Sequence, residues 1–328
     1  MNENRTYGIE IECHTKIGMT EMAIRLNGAF ANKGIGHLAQ TNSYTHNVDG
    51  TNRTVWIIKP DGSVHSALTD YPFNMEIVTP VLRGTEGIKA LQVVCETLAD
   101  VATVSRTCGL HVHHGVSSNE VKAIINAWRK VEKHFFKLLP NSRQNNSYCR
   151  TFESFPHMRD VRSDESVRDW EIRTIGTRYV SMNVESYLMR STLEFRCHSG
   201  SVDFGKIKNW TILTQTFIDK AGQITNDMEF DQLLETLQQT TSVGVVGRPR
   251  PTTKDEVFVT WTNGAAISEL TEIFSIKAKP TTIKSWISGW KNGRGLPAGR
   301  GITTETTVSE DITEAVTWAR ARRDHFGR

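Results

Sequence analysis

Three segments of this chain alternate ionisable and apolar side chains at a period of two, and that pattern restricts the fold more than any other feature. They are Glu10-Ile11-Glu12, Leu110-His111-Val112-His113 and Leu193-Glu194-Phe195-Arg196. Successive side chains of an extended strand point to opposite faces of a sheet. Glu10 and Glu12 therefore share one face, as do His111 with His113 and Glu194 with Arg196, while the apolar residues between them face a core. A helix would scatter the same residues around its axis. The chain is thus expected to contain a sheet with one apolar face and one face able to collect acids and imidazoles.

Around these segments the punctuation alternates strands with helices. Tyr7–Cys13, Thr54–Lys59, Phe73–Thr79, Leu110–Val116, Tyr179–Val184 and Ser191–His198 read as strands, several closed by turn residues such as Pro60-Asp61-Gly62-Ser63 and Pro80. Residues 19–33, Gly84–Thr103, Ser117–Leu139 and Asp203–Gly222 have helical spacing of apolar residues. Residues 141–180 are polar and irregular, the texture of a segment that covers a site. The uneven interleaving predicts an α+β fold with an antiparallel or mixed sheet and flanking helices.

Near residue 245 the texture changes to a Gly/Pro/Arg-rich linker, TTSVGVVGRPRPTTKDE. Beyond it, Ala265–Phe274 and Thr281–Lys291 have the proportions of a helix-turn-helix, and Ser309–Arg323 reads as a tail helix. Two parts are expected: residues 1–243, and a helical module with its linker and tail over 244–328. Net charge is only +3, but residues 244–301 carry nine Lys/Arg against four Asp/Glu, which suits phosphate contacts on a nucleic acid or docking to a protein. Five scattered cysteines without CxxC spacing point to a reducing compartment rather than a disulfide or zinc framework. No apolar run approaches the ~20 residues of a membrane span, and the N-terminus lacks the pattern of a secretion signal. A cytoplasmic protein is the expectation.

Gathering carboxylates in one cleft is costly, since like charges repel and desolvate poorly. A divalent ion removes the conflict. Mg²⁺ takes carboxylate and phosphate oxygens at ~2.0–2.1 Å, and imidazole ligands admit Mn²⁺ as well. The planar fork of Arg196, two residues from Glu194, suits phosphate oxygens.

In that context the chain resembles the amidoligase family of the glutamine synthetase and glutamate–cysteine ligase superfamily. The matching segments are Tyr7–Glu12, Asp61-Gly62-Ser63, Glu76–Pro80, Cys108–His113, Ser142–Cys149, Arg178-Tyr179 with Asn183, and Leu193–Arg196, in order over roughly residues 5–220. The resemblance implies a glutamine-synthetase-like sheet and a reaction that uses ATP and Mg²⁺ to join a carboxylate to an amine through an acyl phosphate. It implies Glu10, Glu12, Glu76, His111 and Glu194 as metal ligands, with Glu10 and Glu12 on different ions. Glu76 would join Glu12 at one ion, and His111 with Glu194 would complete the other. Arg196 is implied as a phosphate contact, His113 as a neighbour of the nucleotide, and Arg143 and Arg150 as nucleotide or lid contacts. Asp61 is a candidate to take the proton of the attacking amine. Only Asp61 and Asp70 stand where better-known relatives bring a further carboxylate near Glu76, so a third metal site is not expected.

Each element also has a plainer reading. Glu10 and Glu12 suit the solvent face of an edge strand, Glu194 and Arg196 a surface ion pair, and Asp61 a turn residue that caps its own loop. The rival function is a DNA- or protein-binding protein in which the sheet is a degenerate ligase. A guanidino kinase, which stops at phosphoryl transfer, is the other enzyme reading.

Overall fold

A computed structural model describes residues 1–42, 54–65, 68–225, 228–238, 241–245, 302–306 and 310–326. The strand β1 (Thr6–Thr15) occupies the middle of a sheet and organises the rest. After it come α1 (Met19–Asn32), β2 (Leu38–Thr41), β3 (Val55–Lys59), β4 (Phe73–Val78), β5 (Leu82–Arg83), α2 (Gly84–Leu98), β6 (Ala102–Thr103) and β7 (Gly109–Gly115). The chain continues through α3 (Val121–Phe136), α4 (Asn141–Gln144), α5 (Val167–Thr174), β8 (Met182–Asn183), α6 (Glu185–Arg190), β9 (Thr192–Ser199), α7 (Phe204–Lys220) and α8 (Phe230–Gln238). β10 (Thr241–Val245), β11 (Ile302–Thr306) and α9 (Glu310–Phe326) complete the described elements.

The sheet runs β2-β3-β4-β1-β7-β9-β8, with β5 and β6 also paired to β1. Only the β2–β3 pairing is parallel among the described strands, so the sheet is mixed and the α+β expectation holds. Register explains the two faces. Ile58, Ile77, Ile11 and Leu110 stand opposite one another in turn, and Ile9 continues through Val112 to Phe195. All of them are buried, and α1 and α7 pack against this part of the sheet. The alternating residues on the opposite face are the ionisable ones.

Residues Gly84–Thr103 depart from their helical spacing. The helix ends at Leu98, and Ala102–Thr103 form a strand against Thr15 and His14. Pairing to a central strand outweighs the helical pattern of the last few residues. The irregular 141–180 stretch contains α5, which starts where the Ser166 hydroxyl accepts the Asp169 N–H and buries Val167, Trp170 and Thr174 on one side.

Two compact units are distinguished, residues 1–239 together with 308–328, and residues 240–307. This corrects the grouping of the tail helix with the segment after 244. Ile312, Ala315, Val316 and Ala319 of α9 form a buried stripe at helical spacing, and the helix packs on α7 and α8 of the first unit. Trp318 stacks on His198, with ring centroids 6.2 Å apart. In the second unit β10 pairs antiparallel with β11. The helix-turn-helix pattern at 265–291 lies outside the described residues. No described helix is long and apolar enough to cross a membrane.

Candidate active site

Strand register assembles the site row by row. Lys59 stands opposite Glu76, and Glu76 opposite Glu12. Glu10 stands opposite His111, His113 opposite Glu194, and Glu194 opposite Asn183. Six strands thus contribute to one patch of the sheet, a convergence consistent with the period of two. Glu12, Glu76, His111 and Glu194 are buried, and Glu10 is half-buried.

The imidazoles sit between the acids. His111 Nδ1 is 3.0 Å from Glu10 Oε2 and 3.6 Å from Glu194 Oε1, while its Nε2 lies 3.6 Å from Glu12 Oε1. His113 Nε2 is 3.3 Å from Glu10 Oε1 and 3.9 Å from Glu194 Oε1. Two groups of ligand atoms lie within 4.8 Å of one another: Glu10, Glu76 and His111, and Glu10, His113 and Glu194. The grouping differs from the expected one, because Glu10 is common to both and His113 takes part. Glu12 is set apart by a bond of 2.5 Å from the Gly109 N–H to its Oε2, which leaves Oε1 toward His111.

The electrostatics record the cost of this gathering. Burial opposes the charge on Glu10, but the close-lying His111 and His113 imidazoles outweigh it and hold Glu10 well below the usual carboxylate range. Burial and the Glu10 charge push Glu76 well above that range, against the opposing pull of Lys59. Burial likewise opposes charge on Glu194, yet His113 and Arg196 bring it below the usual value. Neighbouring acids driven in opposite directions are what a shortage of positive charge produces.

Arg196 is placed by an irregularity. β7 and β9 lose one step of register between Leu110 and Val112, so that Arg196 and Cys197 together oppose His111. Such a bulge re-aims a side chain. The Arg196 guanidinium donates through Nη1 to Glu194 Oε1, and its Nε is buried without a hydrogen-bond partner. His113 Nε2 is also buried without a hydrogen bond of good geometry. Paired carboxylates, imidazole nitrogens and two unspent buried nitrogens are a donor set that fits a divalent cation beside an anion.

The remaining expected residues belong to neither group of ligand atoms. Arg143 is buried and donates to the Cys108 carbonyl. The Arg150 guanidinium lies over the Phe155 ring, 4.3 Å from its centroid, and donates to the Ser154 carbonyl. Asp61 Oδ1 accepts both the amide and the hydroxyl of Ser63 at 2.6 Å, which makes it the cap of its own turn.

Sequence reasoning missed three contributors. Lys59 Nζ lies 2.7 Å from Glu76 Oε2, with only 17% of its side chain exposed. Asn183 stands in a matching segment without an implied role, and its Nδ2 donates to Glu194 Oε2 at 2.8 Å. Gly109 belongs to a quoted motif, but its work was not legible there: a Cβ at this position would meet His111 Nε2 at 2.8 Å and Glu12 Oε2 at 3.3 Å. A lysine at a strand end carries no signal until its partner strand is known.

A buried cluster of acids and imidazoles with an arginine at its side, on one face of a mixed sheet, defines a candidate cation and anion centre of an α+β protein. The chain belongs to the amidoligase family: the family described as "Putative amidoligase enzyme" matches residues 3–218. No curated protein matches the chain. Among solved structures it is similar to the ligase PafA in its complex with the prokaryotic ubiquitin-like protein Pup. That likeness has 11% sequence identity and a TM-score of 0.33, and covers 98% of this chain. The chain spans 63% of the length of that PafA structure.

Proposed function

We propose that the first unit, with its site in the part before residue 240, acts as an ATP- and Mg²⁺-dependent carboxylate–amine ligase that forms an amide or isopeptide bond through an acyl phosphate. The observation that carries this reading is the convergence of Glu10, Glu76, His111, His113 and Glu194, from four strands, beside Arg196. Family membership supports the ligase class.

Glu10, Glu12, Glu76, His111 and Glu194 would hold the metal, with His113 beside them. Mg²⁺, or Mn²⁺ in its place, supplies charge neutralisation for a triphosphate. Arg196 meets the phosphoryl group in transfer through the nitrogen that it does not spend on Glu194. A substrate carboxylate oxygen attacks the γ-phosphorus and ADP leaves. The amine nitrogen then attacks the acyl carbon, and inorganic phosphate leaves as the amide forms. The amine must shed a proton, and Asp61, whose Oδ1 is held by Ser63, would offer Oδ2 for it. Arg143 and Arg150 would serve the nucleotide only after leaving their present contacts.

Incubation with ATP, Mg²⁺ and pooled carboxylates and amines should release phosphate only when both substrate classes are present. With ¹⁸O in the carboxylate, label should appear in the phosphate. A phosphorylated guanidine without amide would instead favour a kinase, and no turnover together with no nucleotide binding would sink the enzyme reading. Glu10→Gln should abolish turnover with the fold intact.

A further inference from the structure

Glu132 of α3 is 2% exposed and belongs to neither group of ligand atoms. A carboxyl so placed is costly unless its oxygens meet donors. Three donors meet it. Trp128 Nε1 donates to Oε1 at 3.2 Å, the Ser181 hydroxyl donates to the same oxygen, and the Phe152 N–H donates to Oε2 at 2.8 Å. Trp128 shares the helix, but Ser181 and Phe152 come from two separate segments beside the outer edge of β9.

Those segments are joined to each other and to the site by backbone bonds. The Ser181 N–H donates to the Arg150 carbonyl at 2.8 Å, and the Arg150 N–H to the Tyr179 carbonyl at 3.3 Å. The Arg196 N–H donates to the Ser181 carbonyl at 2.8 Å. Arg196 lies on the bulge, where the ladder to β7 is interrupted, so its amide is held from the Ser181 side. Ser181 therefore gives its hydroxyl to Glu132 and its carbonyl to Arg196. Trp128 of the same helix packs edge-on against Phe195, between Glu194 and Arg196, with centroids 5.0 Å apart.

We infer that Glu132 is a positioning residue, which through Ser181 fixes the bulge that aims Arg196 at the phosphate of the nucleotide. The inference rests on the ligase reading above. Glu132 touches no substrate; its effect is on where the Arg196 guanidinium stands.

The test measures binding of the Mg²⁺ complex of a β,γ-imido ATP analogue, per folded molecule, in the full chain. Glu132→Ala should weaken it about ten- to hundredfold, the range for a misplaced charge-assisted hydrogen bond. Arg196→Ala should do the same, and the double variant should lose no more than Arg196→Ala alone, because the two act through one contact. Glu132→Gln should restore most of the affinity, with its carbonyl accepting the Phe152 N–H and its amide donating to Ser181 Oγ, while Trp128 Nε1 keeps Ser181 Oγ as its acceptor at 3.0 Å. Leu234→Ala, a core cavity in α8, should leave affinity per folded molecule unchanged. Where Glu132→Ala does not fold, Ser181→Ala makes the same measurement. Wild-type affinity in Glu132→Ala, or additive losses in the double variant, would overturn the positioning role alone. A wild-type protein that binds no nucleotide would overturn the ligase reading and this inference with it.

Discussion

Gly109→Ala separates the site from the fold. The added methyl would lie 2.8 Å from His111 Nε2, whereas ordinary contact begins at roughly 3.5 Å, so the imidazole must retreat by about 0.7 Å. His111 has little freedom to do so, since its Nδ1 is engaged by Glu10 Oε2 at 3.0 Å. Disturbing the orientation of a metal ligand typically costs about 10- to 100-fold in affinity, and a misplacement near 1 Å about 10²-fold in rate. The fold should respond less. No positive φ marks this glycine, and the unfolded-state freedom that alanine removes, worth ~0.5–1 kcal/mol, offsets part of the roughly 1–3 kcal/mol cost of overpacking. The variant should therefore stay folded, with a melting temperature lowered by a few degrees at most, while binding Mn²⁺ more weakly, as followed by the electron spin resonance of free Mn²⁺. Unchanged Mn²⁺ affinity in a stable variant would refute the placement of His111 in a metal site.

Further outcomes follow from the same geometry. Burial pushes Glu132 up to about 7 from an ordinary 4.5, against hydrogen bonds from Ser181, Phe152 and Trp128 and with a small contribution from Glu153. The folded chain thus retains a proton that the unfolded chain releases. Stability should fall as pH rises through that window, by roughly 3 kcal/mol relative to Glu132→Gln, and the difference should level off on both sides; urea midpoints for the two proteins that run parallel with pH would exclude it. Lys59→Met removes the ammonium that occupies Glu76 Oε2, so added Mn²⁺ should raise the melting temperature more in the variant than in wild type. A smaller rise would mean that Lys59 orients Glu76 instead of competing for it. Arg196→Lys keeps the charge but loses the fork, and should reduce kcat/KM for ATP about 10- to 100-fold in a phosphate-release assay; full activity would remove Arg196 from phosphate binding.

The face that carries the site was legible because a period of two is a local property. Glu10 with Glu12 and Glu194 with Arg196 could be assigned to a side from their neighbours alone. The companions of each residue were not legible. Lys59, Glu76 and Glu12 align across three strands only through the β3–β4–β1 register, and Glu10 joins both ligand groups because of where β7 pairs. The bulge at Arg196 is likewise a property of two strands together. Short elements such as β6 and α5 were hidden because tertiary pairing and a capped turn outweigh the local pattern, while α9 was read as a helix but assigned to the wrong partner.

That assignment bears on how the molecule is made. The first unit is interrupted after residue 239 and resumes at 308, and its closing helix lays Ile312, Ala315, Val316 and Ala319 against α7 and α8. During synthesis α7 and α8 wait for residues 310–326 to emerge. An expression product stopped at the linker would leave the ribosome with that seam open to water, and it should aggregate where the longer polypeptide stays dispersed.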